Sequence, residues 1–249
     1  MGFYGKRLAA FVFVPLVALG TACSSDDDKG DKAGNAAQSP AANSPAPSSA
    51  AASDAKRLTA EQLKAALVTS AELPGYEVAT GSPEDDGTGV ETSDKPECQP
   101  LLQLIAADKE HMPNESASAG ATKADNSSKT TYWLALGQFD GDKAEKLISE
   151  VQDSLTKCTS QFVGTDEEGT KTEYTIQDSK KLGYGDDSLT ITYGMDGEPW
   201  TLSFVRSGPV IAQGTAISFD LEDTAPADPV MPEEMMRAQY DKLVKAQKG

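Results

Sequence analysis

The sequence predicts an α+β domain: a single twisted antiparallel β-sheet with helices packed on one face, preceded by a signal peptide and a disordered tether. Three observations carry that prediction. Between residues 171 and 218, successive short segments alternate apolar and polar side chains with period two, as half-buried antiparallel strands do. Between residues 142 and 158, apolar side chains fall on one helical stripe. Residues 24–55 hold no large apolar side chain, so they cannot bury enough surface to offset the entropy of ordering.

The chain opens with a targeting signature. Lys6 and Arg7 supply a positive start, Ala9 to Leu19 an apolar run, and the small residues Gly20, Thr21 and Ala22 stand before Cys23. The run is short for a membrane span and Pro15 interrupts it. Two processing routes fit these residues. An ordinary signal peptidase would accept the small residues before Cys23. Alternatively, Leu19-Gly20-Thr21-Ala22-Cys23 resembles a bacterial lipobox, with its leucine four rather than three residues before the cysteine. The polar Ser24-Ser25-Asp26 that follows favours the second route, in which Cys23 carries lipid. The expected organisation is therefore a lipoprotein signal peptide over 1–22, a tether rich in Ser, Ala, Pro and Asp over 23–55, and an α+β domain over 56–249. The expected location is the outer face of the cytoplasmic membrane, because an acylated cysteine gives a stable anchor.

The chain has three cysteines. With Cys23 lipidated, Cys98 and Cys158 remain as a natural pair in a compartment where disulfides persist; two separate thiols are the alternative.

Thr59, with Gln62 three residues later, forms a capping box that starts a helix over "LTAEQLKAALVTSAEL", and Leu58 and Leu63 are placed to staple it. Leu73-Pro74-Gly75-Tyr76 reads as a turn, followed by a short strand over roughly Tyr76 to Ala79. Residues 80–96 read as an acidic loop, "CQPLLQLIAADK" as a short helix, and 108–128 as a second long loop. "KTTYWLALGQF" is a strand with Tyr132, Leu134 and Leu136 on one side and Thr131, Trp133 and Ala135 on the other. A helix from about Asp142 to Lys157 follows, and its stripe of Ala144, Leu147, Ile148, Val151 and Leu155 extends to Cys158. Strands "TEYTIQD", "SLTITYG", "WTLSFVR" and "VIAQGTAISF" come next. A last helix carries Met236, Tyr240, Leu243 and Val244 towards the same buried face. That leaves a Thr-rich second face, on which Trp133, Thr190, Thr192, Thr201 and Ser203 are expected to line a ligand cleft.

Chemistry is sparse. A net charge of −17 excludes a nucleic-acid partner, since a phosphate-binding surface needs a basic stripe. The single histidine, His111, lies in a polar stretch and reads as a loop residue, so no catalytic residue is assigned. No metal site is expected, because CxxC spacing is absent. "DEEG" at 166–169 and "PEDDG" at 83–87 lack the spaced oxygens of a calcium loop and read as solvated turns. No cofactor motif is found; "GYGDDSLT" lacks both the glycine order and the following helix of a nucleotide-binding turn.

A capped helix leading into "AELPGYEV", then "ECQPLLQLI", an aromatic strand, an amphipathic helix ending "LTKCTSQF" and a hairpin series occur in that order. Over roughly residues 58–247 this order is similar to the PknH-like extracellular sensor domain of actinobacterial kinases and secreted lipoproteins. The resemblance implies a central antiparallel sheet, helices on one side, a cleft for an extracellular ligand, and a bridge that Cys98 and Cys158 fit. The second bridge of that family has no cysteines here, and kinase and membrane-spanning segments are absent, so only a binding or accessory role is implied. The expected function is a membrane-anchored, non-catalytic ligand-binding domain whose partner is an envelope molecule or protein. A lipid or glycolipid carrier is the alternative, and an envelope hydrolase stands behind both.

Overall fold

The computed structural model describes residues 55–81, 91–105, 110–125, 130–158, 161–218 and 229–249. Cys23, the signal segment and most of the tether lie outside the described residues, as does the acidic stretch 83–87. Helix α1 (Ala60–Ala66) is followed by strands β1 (Tyr76–Gly81) and β2 (Thr92–Ser93). A 3-10 turn (Pro96–Cys98) then leads into α2 (Gln99–Ile105). Next come β3 (Glu115–Lys123), β4 (Thr130–Gln138) and α3 (Lys143–Lys157). Strands β5 (Phe162–Thr165), β6 (Lys171–Lys180), β7 (Asp187–Met195), β8 (Glu198–Ser207) and β9 (Val210–Ser218) precede the last helix, α4 (Glu233–Lys248). The fold is α+β, built on one nine-stranded sheet of order β1-β3-β4-β9-β8-β7-β6-β5-β2, with every neighbouring pair antiparallel.

Local sequence explains most elements. The Thr59–Gln62 capping box forms, with each side chain accepting from the other residue's backbone N–H at 3.3 and 3.0 Å. The helix it starts is shorter than the sequence predicts. Leu67 turns extended, and Gln239 of α4 takes over the helix end. Its amide donates to the Ala66 carbonyl at 2.8 Å and accepts from the Val68 N–H at 3.1 Å. The tight β7–β8 hairpin turns at Asp196 and Gly197, both at positive φ (51° and 88°), the geometry that matches strand twist. Residues 115–123, expected as loop, form β3 instead. Its inward positions are Ala117, Ala119 and Ala121, which pair with Leu136, Leu134 and Tyr132. Alanines bury well against large partners but give no strand signal of their own.

The helices divide between the two faces of the sheet, which corrects the expectation of a single helical layer. On the first face, α2 and α3 pack on β7 and β8 through Leu147, Ile148 and Val151 against Leu189, Ile191, Leu202 and Phe204. On the second face, α1 and α4 cover β3, β4 and β9, with Met235 and Met236 against Tyr132, Leu134 and Ala216, and Leu243 against Leu136, Val210 and Ala212. Register shows why. Leu134 pairs with Gly214, which pairs with Ser203, whereas Phe204 pairs with Gln213 and so faces the other way. The apolar side of β4 is thus opposite to the apolar side of β7 and β8. Strand β9 sits where they meet, sending Ile211 into one core and Val210, Ala212 and Ala216 into the other.

Cys98 and Cys158 form a disulfide with Cα atoms 5.1 Å apart, and both are buried in the first-face core. The bridge ties the turn before α2 to the C-terminal end of α3. Beside it, the Ser154 hydroxyl donates to the Glu97 carbonyl.

Candidate functional site

The structure separates the residues that the sequence groups into one cleft. Thr190, Thr192, Thr201 and Ser203 lie on the second face, where they form a ladder of hydroxyls. Thr190 Oγ1 and Ser203 Oγ are 2.9 Å apart, and Thr192 Oγ1 and Thr201 Oγ1 are 3.4 Å apart. Thr201 also donates to the Pro229 carbonyl, on the segment that enters α4. Thr190, Thr201 and Ser203 are buried. Their hydrogen bonds are met within the protein, and Thr201 ties the segment that enters α4 to the sheet.

Trp133 is on the first face. Its partners across the ladders are Gly120 of β3 and Thr215 of β9. It is 46% exposed, one of three large hydrophobic side chains left in the open among the described residues. Strand alternation places Thr131 and Ala135 on the same side of β4, and register adds Ser118, Gln213 and Ile217. The first-face core, with α2 and α3, reaches β9 at Ile211 but includes no residue of β4. The outward side of β3 and β4 is therefore a shallow floor of small and hydroxyl-bearing residues from which one indole rises. A Cβ placed on Gly120 would meet nothing within 4 Å, which confirms open space beside that ring. Sequence alternation identifies Trp133 as the outlier of its strand; its true neighbours depend on the β4–β9 register, for which the sequence carries no local signal.

The second tryptophan, Trp200, projects from the same face and stacks on Tyr193 at an interplanar angle of 27°, with ring centroids 6.4 Å apart. Its indole N–H is buried and has no hydrogen-bond partner among the described residues.

Two other groupings bring titratable side chains together. A cavity of about 210 Å³ near the start of α3 is lined by Glu110, His111, Phe139, Lys143, Lys146, Leu147 and Glu150. His111 is half-buried there rather than in a solvated loop, and none of the described residues that line the cavity is a hydroxyl or thiol nucleophile. Asp166 closes the β5–β6 turn by accepting from the Glu168 and Thr170 N–H groups, at 2.9 and 2.8 Å. Among the described residues no cluster of His, Cys, Asp and Glu could hold a metal ion, and no helix is long and apolar enough to cross a membrane.

Glu91 is a carboxyl pushed upward. It lies against Gly164 and accepts at 2.9 Å from the hydroxyl of Tyr174, whose ring stacks on Phe162. Burial holds its pKa above the ordinary glutamate value, and the Tyr174 hydrogen bond offsets only part of that shift. The native state therefore keeps this proton to higher pH than the unfolded chain does. The stability that protonated Glu91 contributes is present at low pH and lost as pH rises through the native value. Glu91→Gln keeps an acceptor for Tyr174 and removes the buried charge. Its melting temperature should exceed that of the wild type at neutral pH, and the two should converge below the ordinary glutamate range. A pH-independent difference would mean that Glu91 is not the titrating group.

No family model matches the chain, and no curated protein matches it. Among solved structures, it is similar to the extracellular domain of PknH from Mycobacterium tuberculosis, with 13% identity and a TM-score of 0.49 over 78% of this chain and 100% of that one. It is also similar to the Rv0999 ortholog from Mycobacterium smegmatis, with 13% identity and a TM-score of 0.37 over 80% of this chain and 98% of that one. No site residue is carried over from either.

Proposed function

We propose that the chain is an extracytoplasmic, lipid-anchored binding module that holds its ligand without turning it over. The observation that carries the binding role is the exposure of Trp133 on an otherwise small-residue floor. An indole ring exposed on a rigid sheet offers a large contact area at little cost in ordering, because only two side-chain torsions need be fixed. Among the described residues of that face no grouping joins a nucleophile to a base, so the face suits retention rather than reaction. The buried Cys98–Cys158 bridge supports an oxidising, extracytoplasmic setting. The Leu19–Cys23 sequence supports lipid at Cys23.

A thermal-shift screen of the full chain against wall fragments, lipids, peptides and divalent cations tests the binding role. At least one class should raise the melting temperature, and Trp133→Ala should lose that rise. Protection that survives in Trp133→Ala would move the site elsewhere. Mass spectrometry of the mature N-terminus tests the anchor: an acylated Cys23 is expected, and an unmodified cysteine or a different first residue would refute it.

A further inference from the structure

The binding role leaves the ligand's chemistry open. Resting on that role, we propose that the Trp133 face takes a neutral saccharide chain, laid across β3, β4 and β9 with one sugar ring stacked on the indole.

Three features of the face select that class. First, the indole face is electron-rich, and the axial C–H groups on one side of a pyranose ring present the complementary positive edge. Trp133 is open to such a partner, and Gly120 beside it gives a sugar room to lie flat. Second, the floor offers the hydroxyls of Thr131 and Thr215 and the amide of Gln213 on the same side as the ring. Each of these both donates and accepts, as sugar hydroxyls do. Third, this floor of Gly120, Thr131, Trp133, Gln213 and Thr215 is uncharged, in a chain with net charge −17. A polyanion would meet the protein's negative field with no cation among the described residues on this side of β3, β4 and β9 to hold it. None of the described residues on this side of β3, β4 and β9 carries a charge, so a charged ligand would lose hydration without gaining an ionic partner from the floor itself. A lipid tail needs an enclosed apolar channel, and hydroxyl-bearing residues on an open sheet do not supply one.

Titration of the full chain with neutral hexasaccharides tests the idea, using cellohexaose, chitohexaose, maltohexaose and mannohexaose and reading tryptophan emission. Both tryptophans project from this face, so Trp200 still reports in a Trp133 variant. At least one sugar should give a saturable change. Trp133→Ala should weaken it by about tenfold or more, equivalent to ~1.4 kcal/mol, while Trp133→Phe recovers part of the loss. Should Trp133→Ala fail to fold, Gly120→Leu supplies a second reading, since it fills the free space beside the ring and should weaken binding similarly. Equal affinity in these variants would overturn the proposal. If no sugar binds but a lipid or peptide protects the chain through Trp133, the saccharide assignment falls and the binding role stands. If no class of ligand binds at all, both fall.

Discussion

Replacing Cys98 and Cys158 together by alanine is expected to lower the unfolding free energy by about 4 kcal/mol. The bridge closes a loop with a sequence separation of 60. In the chain-entropy account, opening a loop of that length returns about 4 kcal/mol of conformational freedom to the unfolded chain. For a domain of this size each kcal/mol moves the melting temperature by about 2–4 °C, so a fall of about 8–16 °C should be measured. The same fall should follow treatment of the wild type with reductant under conditions where both thiols become titratable. The loss should be felt first where the bridge acts, at the junction of α2 with the end of α3. Melting temperatures that coincide with and without the bridge, thiol titration having shown it open, would mean that packing alone holds that junction.

Gly214→Val should be the next most damaging change. Gly214 lies on the second face at the middle of β9, between Leu134 and Ser203. A Cβ there would fall inside contact distance of the Met236 sulfur and 2.5 Å from the Met231 methyl. Met236, on α4, and Met231, on its entry segment, are both buried between the helix and the sheet, so they have little room to yield. Overpacking of this kind costs about 1–3 kcal/mol, and a branched side chain belongs at the upper end. At about 3 kcal/mol the melting temperature should drop by about 6–12 °C. Gly120→Ala is the matched control on the opposite side of the sheet. With nothing within 4 Å of its added methyl, it should change stability by less than about 0.5 kcal/mol. Chemical or thermal denaturation of the two variants side by side checks the assignment of faces. If Gly214→Val melts with the wild type, α4 does not rest on the centre of β9.

Much of the fold was legible because its signals are local. The capping box at Thr59 and Gln62 and the stripe from Ala144 to Val151 each depend on residues within one or two turns. Strand alternation from Tyr174 to Phe204 is equally local, and the Asp196-Gly197 turn fixes the register of β7 on β8. The division of helices between faces depends on a relation that no local pattern encodes. Alternation gives each strand two sides, but which side of β4 matches which side of β8 is set through β9, far along the chain. For the same reason the sequence groups Trp133 with Thr190, Thr192, Thr201 and Ser203, from which the sheet separates it. The outlier itself could be read from the sequence; its company could not. Strand β3 is silent in the sequence for a different reason, since small residues such as Ala119 acquire their burial from large partners and announce nothing alone.

The position of β9 also bears on how the domain comes apart. It is hydrogen-bonded to β4 on one edge and β8 on the other, and it contributes side chains to the cores on both faces. Neither half of the sheet can open without stripping this strand of one ladder and one packing partner. Its backbone amides should therefore exchange with solvent only through complete unfolding, while those of the two-residue edge strand β2 exchange through local opening. The two cores, although on opposite sides, are bound into a single cooperative unit by one shared strand.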